Sequence, residues 1–262
     1  MPKRTKELQG VVIAFDGVVV RSHRAIARCV EHAAQRLGIP FRYTDIVHGQ
    51  PLADAIAALA ERHHAPVHAH DRADATTRCL REYTGLLRGR HAALMPGITS
   101  VLAGLATADP LCTGFDTEQP VRVAIVSPNA CGLRRLVRSL GLTSYCDVVL
   151  DGGDVHANGN PPNVFAAAAK TLDVPTRACV GIAATPTGIR TIAAAGLCPI
   201  AIRTHLASSD ALGFAGAEAI FAGIEHCTPY TLQETLNAGY SRSGGYGPRR
   251  RATGTRHAAT TG

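Results

Sequence analysis

The chain has no apolar run approaching the roughly 18 residues that a membrane-spanning helix needs, so no transmembrane segment is expected. It has no CxxC pair among its eight cysteines, at 29, 79, 112, 131, 146, 179, 198 and 227. Zinc sites and dithiol redox motifs both rest on closely spaced thiols, so neither is indicated. Cys131, Cys179 and Cys198 fall among apolar neighbours and read as small buried hydrophobes, which suits a reducing cytoplasm. The basic start MPKRTKELQG leads into an apolar stretch that Asp16 interrupts, and no small-residue cleavage site follows. A signal peptide is therefore not expected. Nothing outside the chain ends has the pattern of a base-reading module.

What is present is enough apolar material, 46% of 262 residues, for one sizeable core and a small second domain. The net charge of +7 is concentrated in part at the ends, in Lys3, Arg4 and Lys6 and in Arg249, Arg250, Arg251 and Arg256. Residues 1–9 read as a flexible N-terminus. Residues 240–262 are rich in Gly, Ser, Thr and Arg without a periodic apolar face and read as a disordered basic tail. A solvated tail is the plain reading; weak electrostatic contact with nucleic acid or another acidic partner is the alternative.

Along the chain, residues 10–20 form a Val- and Ile-rich buried strand with a turn at Asp16-Gly17. Helical patterns follow over 22–37, 51–65 and 71–88. Ser22 is placed to cap the first, whose apolar face is Ala25, Ile26, Cys29, Val30 and Ala33, and Gly38 stops it. The second carries Leu52, Ala55, Ile56, Leu59 and Ala60 on one face. From Pro96-Gly97 onward, strands and helices alternate. Strands are expected at 121–126, 148–150, 178–182, 200–203 and 219–221, and helices at 98–107, 130–140, 163–172 and 187–195, with a long loop over 108–120. Such alternation implies a parallel sheet with helices on both faces, an α/β doubly wound, Rossmann-like core. Residues 10–21 and 94–239 make that core, and 22–93 form an inserted all-helical unit. Ligands of such sheets bind at the carboxyl ends of the strands, where 14–18, 127–131 and 183–187 converge.

The segment VVIAFDGVVVRSH (11–23) resembles the first motif of the haloacid dehalogenase-like (HAD) phosphohydrolases, hydrophobic-Asp-x-Asp-Gly-(Val/Thr). The resemblance extends from residue 10 to about 235, on the phosphoglycolate phosphatase and β-phosphoglucomutase branch, and implies a helical cap at 22–93. In that family the first Asp is the nucleophile and the second the general acid/base. Asp16-Gly17-Val18 sets the frame, so the acid/base position is Asp16 and the nucleophile position is Ala14. The second motif, a Ser or Thr that binds the phosphoryl group, matches Ser127 in VAIVSPNACG, with Asn129 after it. Both also suit capping of the following helix. The third motif is a Lys; in DGGDVHANGNPPNVF (151–165) it falls on Gly159, or on Asn160 with a gap, and His156 reads as a surface residue. The fourth is an acidic pair that holds Mg²⁺; in CVGIAATPTGIRTIAAAGL it falls on Ala183 and Ala184.

Nucleophile, Lys and metal acids are thus neutral together. Losing the acids while keeping the Lys would leave an unpaired charge in a closed pocket; losing all leaves none. The expectation is a HAD-like protein without phosphoryl-transfer activity and without the family's Mg²⁺ site, serving as a binding or regulatory protein. Weak binding of a phosphate-bearing ligand or anion at Ser127 and Asn129 is expected, because a helix N-terminus attracts anions. A protein partner is the other possibility. The alternative is a hydrolase of the phosphoglycolate phosphatase type acting on a small phosphorylated metabolite by an altered mechanism, with Asp16 as the nearby carboxylate. His48, Gln50 and Arg62 to His64 are candidates to face the cleft.

Overall fold

The computed structural model describes residues 7–88, 93–107, 120–152 and 163–242. Six strands form one sheet, β1 (Gly10–Ala14), β2 (Arg122–Ser127), β3 (Val148–Asp151), β4 (Cys179–Ala183), β5 (Cys198–Ile202) and β6 (Ala219–Phe221). All pairings are parallel, in the order β3-β2-β1-β4-β5-β6. The order reverses at β1, which lies between β2 and β4, and that is the switch point where the α/β architecture opens a crevice. Both faces of the sheet are covered, so its central strands read as unbroken apolar runs. Val11 and Ile13 pack into one buried cluster and Val12 into the other.

Three helices, α1 (His23–Arg36), α2 (Leu52–Arg62) and α3 (Ala69–Arg88), are inserted after β1. The buried residues of α3 include Ala75, Cys79, Tyr83 and Leu87, each four apart, so they form one ridge along the helix. That ridge meets α1, whose buried face is small: Ala25, Ala27, Cys29, Val30, Ala33 and Ala34. Short side chains on one helix leave room for Tyr83 on the other. The chain enters and leaves this unit through two adjacent segments held by Arg21 N–H donating to Ala93 O (2.9 Å) and Met95 N–H to Val19 O (2.9 Å).

The remaining helices are α4 (Ile98–Ala106), α5 (Leu133–Ser139), α6 (Val164–Thr171), α7 (Pro186–Ala194), α8 (Ser209–Phe214) and α9 (Pro229–Arg242). Four expectations are corrected. The first strand ends at Ala14, because Val19 and Val20 turn their N–H groups back to Phe15 O; Val18 to Val20 stay fully buried, but in a turn. The helix expected from residue 130 starts at Leu133, after Gly132 in the left-handed region. Helices α8 and α9 were not read from the pattern, although Ser208 and Thr228 mark their starts by accepting from Ala211 N and Thr231 N. Cys179 is buried, but Cys131 is exposed and Cys198 half-buried. Residues 1–6, 89–92, 108–119 (nearly all of the expected long loop), 153–162 (with His156, Gly159 and Asn160) and 243–262 lie outside the described residues. No described helix is long and apolar enough to cross a membrane.

Candidate functional site

The crevice at the carboxyl end of β1 is a cavity of about 340 Å³, large enough for a small ligand. Ala14, Asp16, Ala183 and Ala184 line it from the sheet, and His48, Gln50 and Asp54 from the inserted unit. The fold therefore brings together the first and fourth motif positions, as parallel strands β1 and β4 require. Gly17, at φ +78°, makes the turn after Asp16 that a residue with a Cβ would strain.

Asp16 is the centre of the polar contacts. Its Oδ2 accepts from the Ser127 hydroxyl at 2.7 Å, and its Oδ1 accepts from the Tyr83 hydroxyl. Burial, the Asp16 charge and the bond to it push the Tyr83 hydroxyl well above its ordinary pKa, in that order of size. Tyr83 therefore stays protonated and a donor at neutral pH. It was not singled out in the sequence, where it is one more residue on an apolar helical ridge.

Ser127 and Asn129 are both buried, at 0% and 2% exposure, and both are engaged. Ser127 Oγ accepts from Asn129 N (3.1 Å) and Ala130 N (3.2 Å) while donating to Asp16. Neither residue caps α5. Asp151 Oδ2 does so, accepting from Gly132 N (2.8 Å) and Leu133 N (3.2 Å). Cys131 N donates to Thr84 Oγ1 (3.3 Å). Each N–H from 129 to 133 thus already has an acceptor within the chain. Asn129 Oδ1 accepts from Leu52 N (2.8 Å) and so caps α2 of the inserted unit from the core side.

The loop before α2 approaches the core closely at Gly49. A Cβ there would lie 2.1 Å from Thr185 Oγ1, and Gly49 has φ +88°. Thr185 caps α7 by accepting from Gly188 N (3.2 Å). His48 is held below its usual pKa by burial and by His205, and His23 by burial, His205 and Arg24. Of the other candidates, Arg62 and His63 turn to Asp45 at 3.0 and 3.7 Å and are not among the residues that line the cavity.

A hard divalent cation needs several oxygen ligands. Ala14, Ala183 and Ala184 offer no side-chain oxygen, and both Asp16 oxygens already accept hydroxyl bonds. Among the described residues no three His, Cys, Asp or Glu side chains converge. The residues present do not fit the Mg²⁺ of the resembling enzymes, and no metal-assisted step follows from them.

The fold is shared with solved structures. β-Phosphoglucomutase from Clostridium difficile superposes over 90% of this chain and all of its own, with a TM-score of 0.70 at 18% identity. The fold is that of the HAD-like hydrolases. CbbY from Rhodobacter sphaeroides, in complex with phosphate, covers 84% of this chain and 96% of its own (TM-score 0.65, 20% identity). A HAD family hydrolase from Deinococcus radiodurans with bound phosphate and sodium covers 91% and 97% (TM-score 0.54, 23% identity). No family model matches the chain.

Proposed function

We propose that this chain is a binding or regulatory protein on the HAD-like fold, without phosphoryl-transfer activity. The observation that carries the reading is Asp16 beside Ala14. The carboxylate at the acid/base position accepts from Tyr83 and Ser127, and a methyl group stands where the nucleophile would be. Covalent phosphoryl transfer needs an attacking oxygen, and Ala14 has none. The transition state also needs positive charge and preorganised donors. Ala183 and Ala184 cannot hold a cation, and the N–H groups of 129–133 are spent on Ser127, Thr84 and Asp151.

The expected anion at Ser127 and Asn129 must displace bonds already made, so its binding is weak. The cavity, lined by His48, Gln50 and Asp54 together with Asp16, is the better place for a small ligand. The test is hydrolysis of an aryl phosphate with Mg²⁺. The expected rate equals that of buffer. Turnover abolished by Asp16→Asn overturns the proposal and favours the alternative, a phosphoglycolate phosphatase-like hydrolase working by an altered mechanism.

A further inference from the structure

A second groove, of about 760 Å³, adjoins the cleft at Gly17, His23 and Leu206 but is otherwise lined by different residues. Arg21, Arg24 and Arg28 line it from the start of α1, and Arg203 and His205 from the loop after β5. Leu86, Ala93 and Met95 supply apolar lining, and among the described residues no Asp or Glu lines the groove. The four arginines are exposed, and among the described residues none forms an ion pair or a side-chain hydrogen bond.

This arrangement is repulsive without a counter-charge. Arg24 and Arg28 are one turn apart on α1, a spacing at which like charges destabilise a helix. Arg203 adds another fixed positive charge to the same lining. The first turn of α1 also faces this charge without an acid or a side-chain cap. Ser22 makes no side-chain cap bond. A fourteen-residue helix thus starts at the groove with uncapped N–H groups and a positive dipole end.

We propose that this groove binds a small molecule carrying two or more phosphate groups, held between α1 and the loop after β5. Arginine forks match phosphate oxygens in pairs, and the groove volume lies within the range of small-molecule sites. A nucleic-acid strand fits less well. Single-strand sites use aromatic platforms, and among the described residues no Phe, Tyr or Trp lines the groove. Its two imidazoles, His23 and His205, pack edge-to-face on each other with centroids 4.5 Å apart. The proposal goes beyond the reading of the cleft and stands whether or not the cleft turns over substrate.

The probe is inorganic tripolyphosphate, titrated calorimetrically into the full chain. The expected result is one-site binding that Arg24→Ser with Arg203→Ser weakens by about tenfold or more, since each removes a charge-assisted pair. Arg249→Ser with Arg250→Ser removes the same charge from the C-terminal segment and is expected to change affinity less than about twofold by the long-range field alone. Arg24→Lys keeps the charge, loses the fork and is expected to fall between. Melting temperatures of the variants should equal or exceed the wild type, because among the described residues these arginines form no ion pair and Arg24→Ser relieves like-charge repulsion on α1, so loss of binding is separable from unfolding. Absence of binding in the wild type, or equal weakening by the C-terminal pair, overturns the proposal. So does tighter binding of a short single-stranded oligonucleotide than of tripolyphosphate, if Arg24→Ser with Arg203→Ser abolishes it.

Discussion

The Tyr83 hydroxyl donates to Asp16, so a helix of the inserted unit is bonded to the very carboxylate that resemblance assigns to acid/base chemistry. Tyr83 is fully buried and Asp16 half-buried. With Ser127 on the other oxygen, the carboxylate links α3, the turn after β1 and the end of β2. Two further bonds join the same units, Leu52 N to Asn129 Oδ1 and Cys131 N to Thr84 Oγ1. An enzyme that admits and releases substrate under a cap needs that contact to open. Here the contact includes Asp16 and Ser127, whose side chains are bonded to each other, with Asp16 also accepting from Tyr83.

Asp16→Ala should therefore destabilise the protein. It leaves the Tyr83 hydroxyl buried with less to bond, at a cost of about 1–3 kcal/mol. Tyr83→Phe should cost less, because Asp16 retains Ser127 and partial access to water. Urea unfolding of both and of the double variant checks the linkage. The double variant should cost less than the sum of the singles, as it does for groups in direct contact. Strict additivity would mean the bond contributes nothing.

Ala14→Asp should not create a phosphatase. The new carboxylate would join Asp16 in the cavity lining, where no Lys or Arg stands among the described residues, and like charges at close range oppose ionisation of both. Aryl phosphate hydrolysis should stay at background, and the melting temperature should fall relative to wild type at neutral pH. Activity from this single change would show that positive charge reaches the cavity from residues outside those described.

Gly49→Ala should loosen the inserted unit from the core. Its Cβ would lie 2.1 Å from Thr185 Oγ1, at a φ of +88° that a Cβ disfavours. Asn129→Ala should act in the same direction by removing the acceptor for Leu52 N. Hydrogen exchange at the Leu52 amide should speed up in both variants, while the amides of β1 and β4 keep their protection. Uniform acceleration would instead indicate global destabilisation.

Stability should fall as the pH drops below about 6.5, the ordinary histidine value. His23 and His48 are both held below that value in the folded state, first by burial and then by His205, with Arg24 and Arg21 also acting on His23. The unfolded chain therefore binds more protons in the window between the folded and unfolded values, and stability rises with pH there. Their contribution is complete above the unfolded value and is lost as the pH falls through the window. His23→Gln with His48→Gln should flatten the pH dependence of the urea midpoint between pH 5 and 7. An unchanged slope would assign it to other groups.

The strands were legible because each buried strand of a doubly wound sheet must be apolar on both faces, and Gly10–Ala14, Arg122–Ser127 and Cys179–Ala183 carry little else. The run Val18 to Val20 misled for the same reason. Complete burial makes a turn residue as apolar as a strand residue, and only the hydrogen bonds back to Phe15 tell them apart. Ser127 and Asn129 looked like caps of the next helix, but Gly132 delays that helix and Asp151, from the adjacent strand β3, takes its N–H groups. A partner 19 residues away is invisible to a local capping rule.

By itself, the sequence determined the sheet, the inserted helices, and the neutral side chains at 14, 183 and 184, since apolar periodicity and residue identity are local properties. Tertiary structure alone decided what the surviving polar groups do. It turned Tyr83 from a ridge residue into the donor to Asp16, and Asn129 into the cap of a helix in another unit. It also gathered Arg203 with Arg21, Arg24 and Arg28 around one groove, although about 180 residues of chain separate them. Hydrogen bonding and charge act through space over a few ångströms, and which residues come that close is set by the packing of the whole chain.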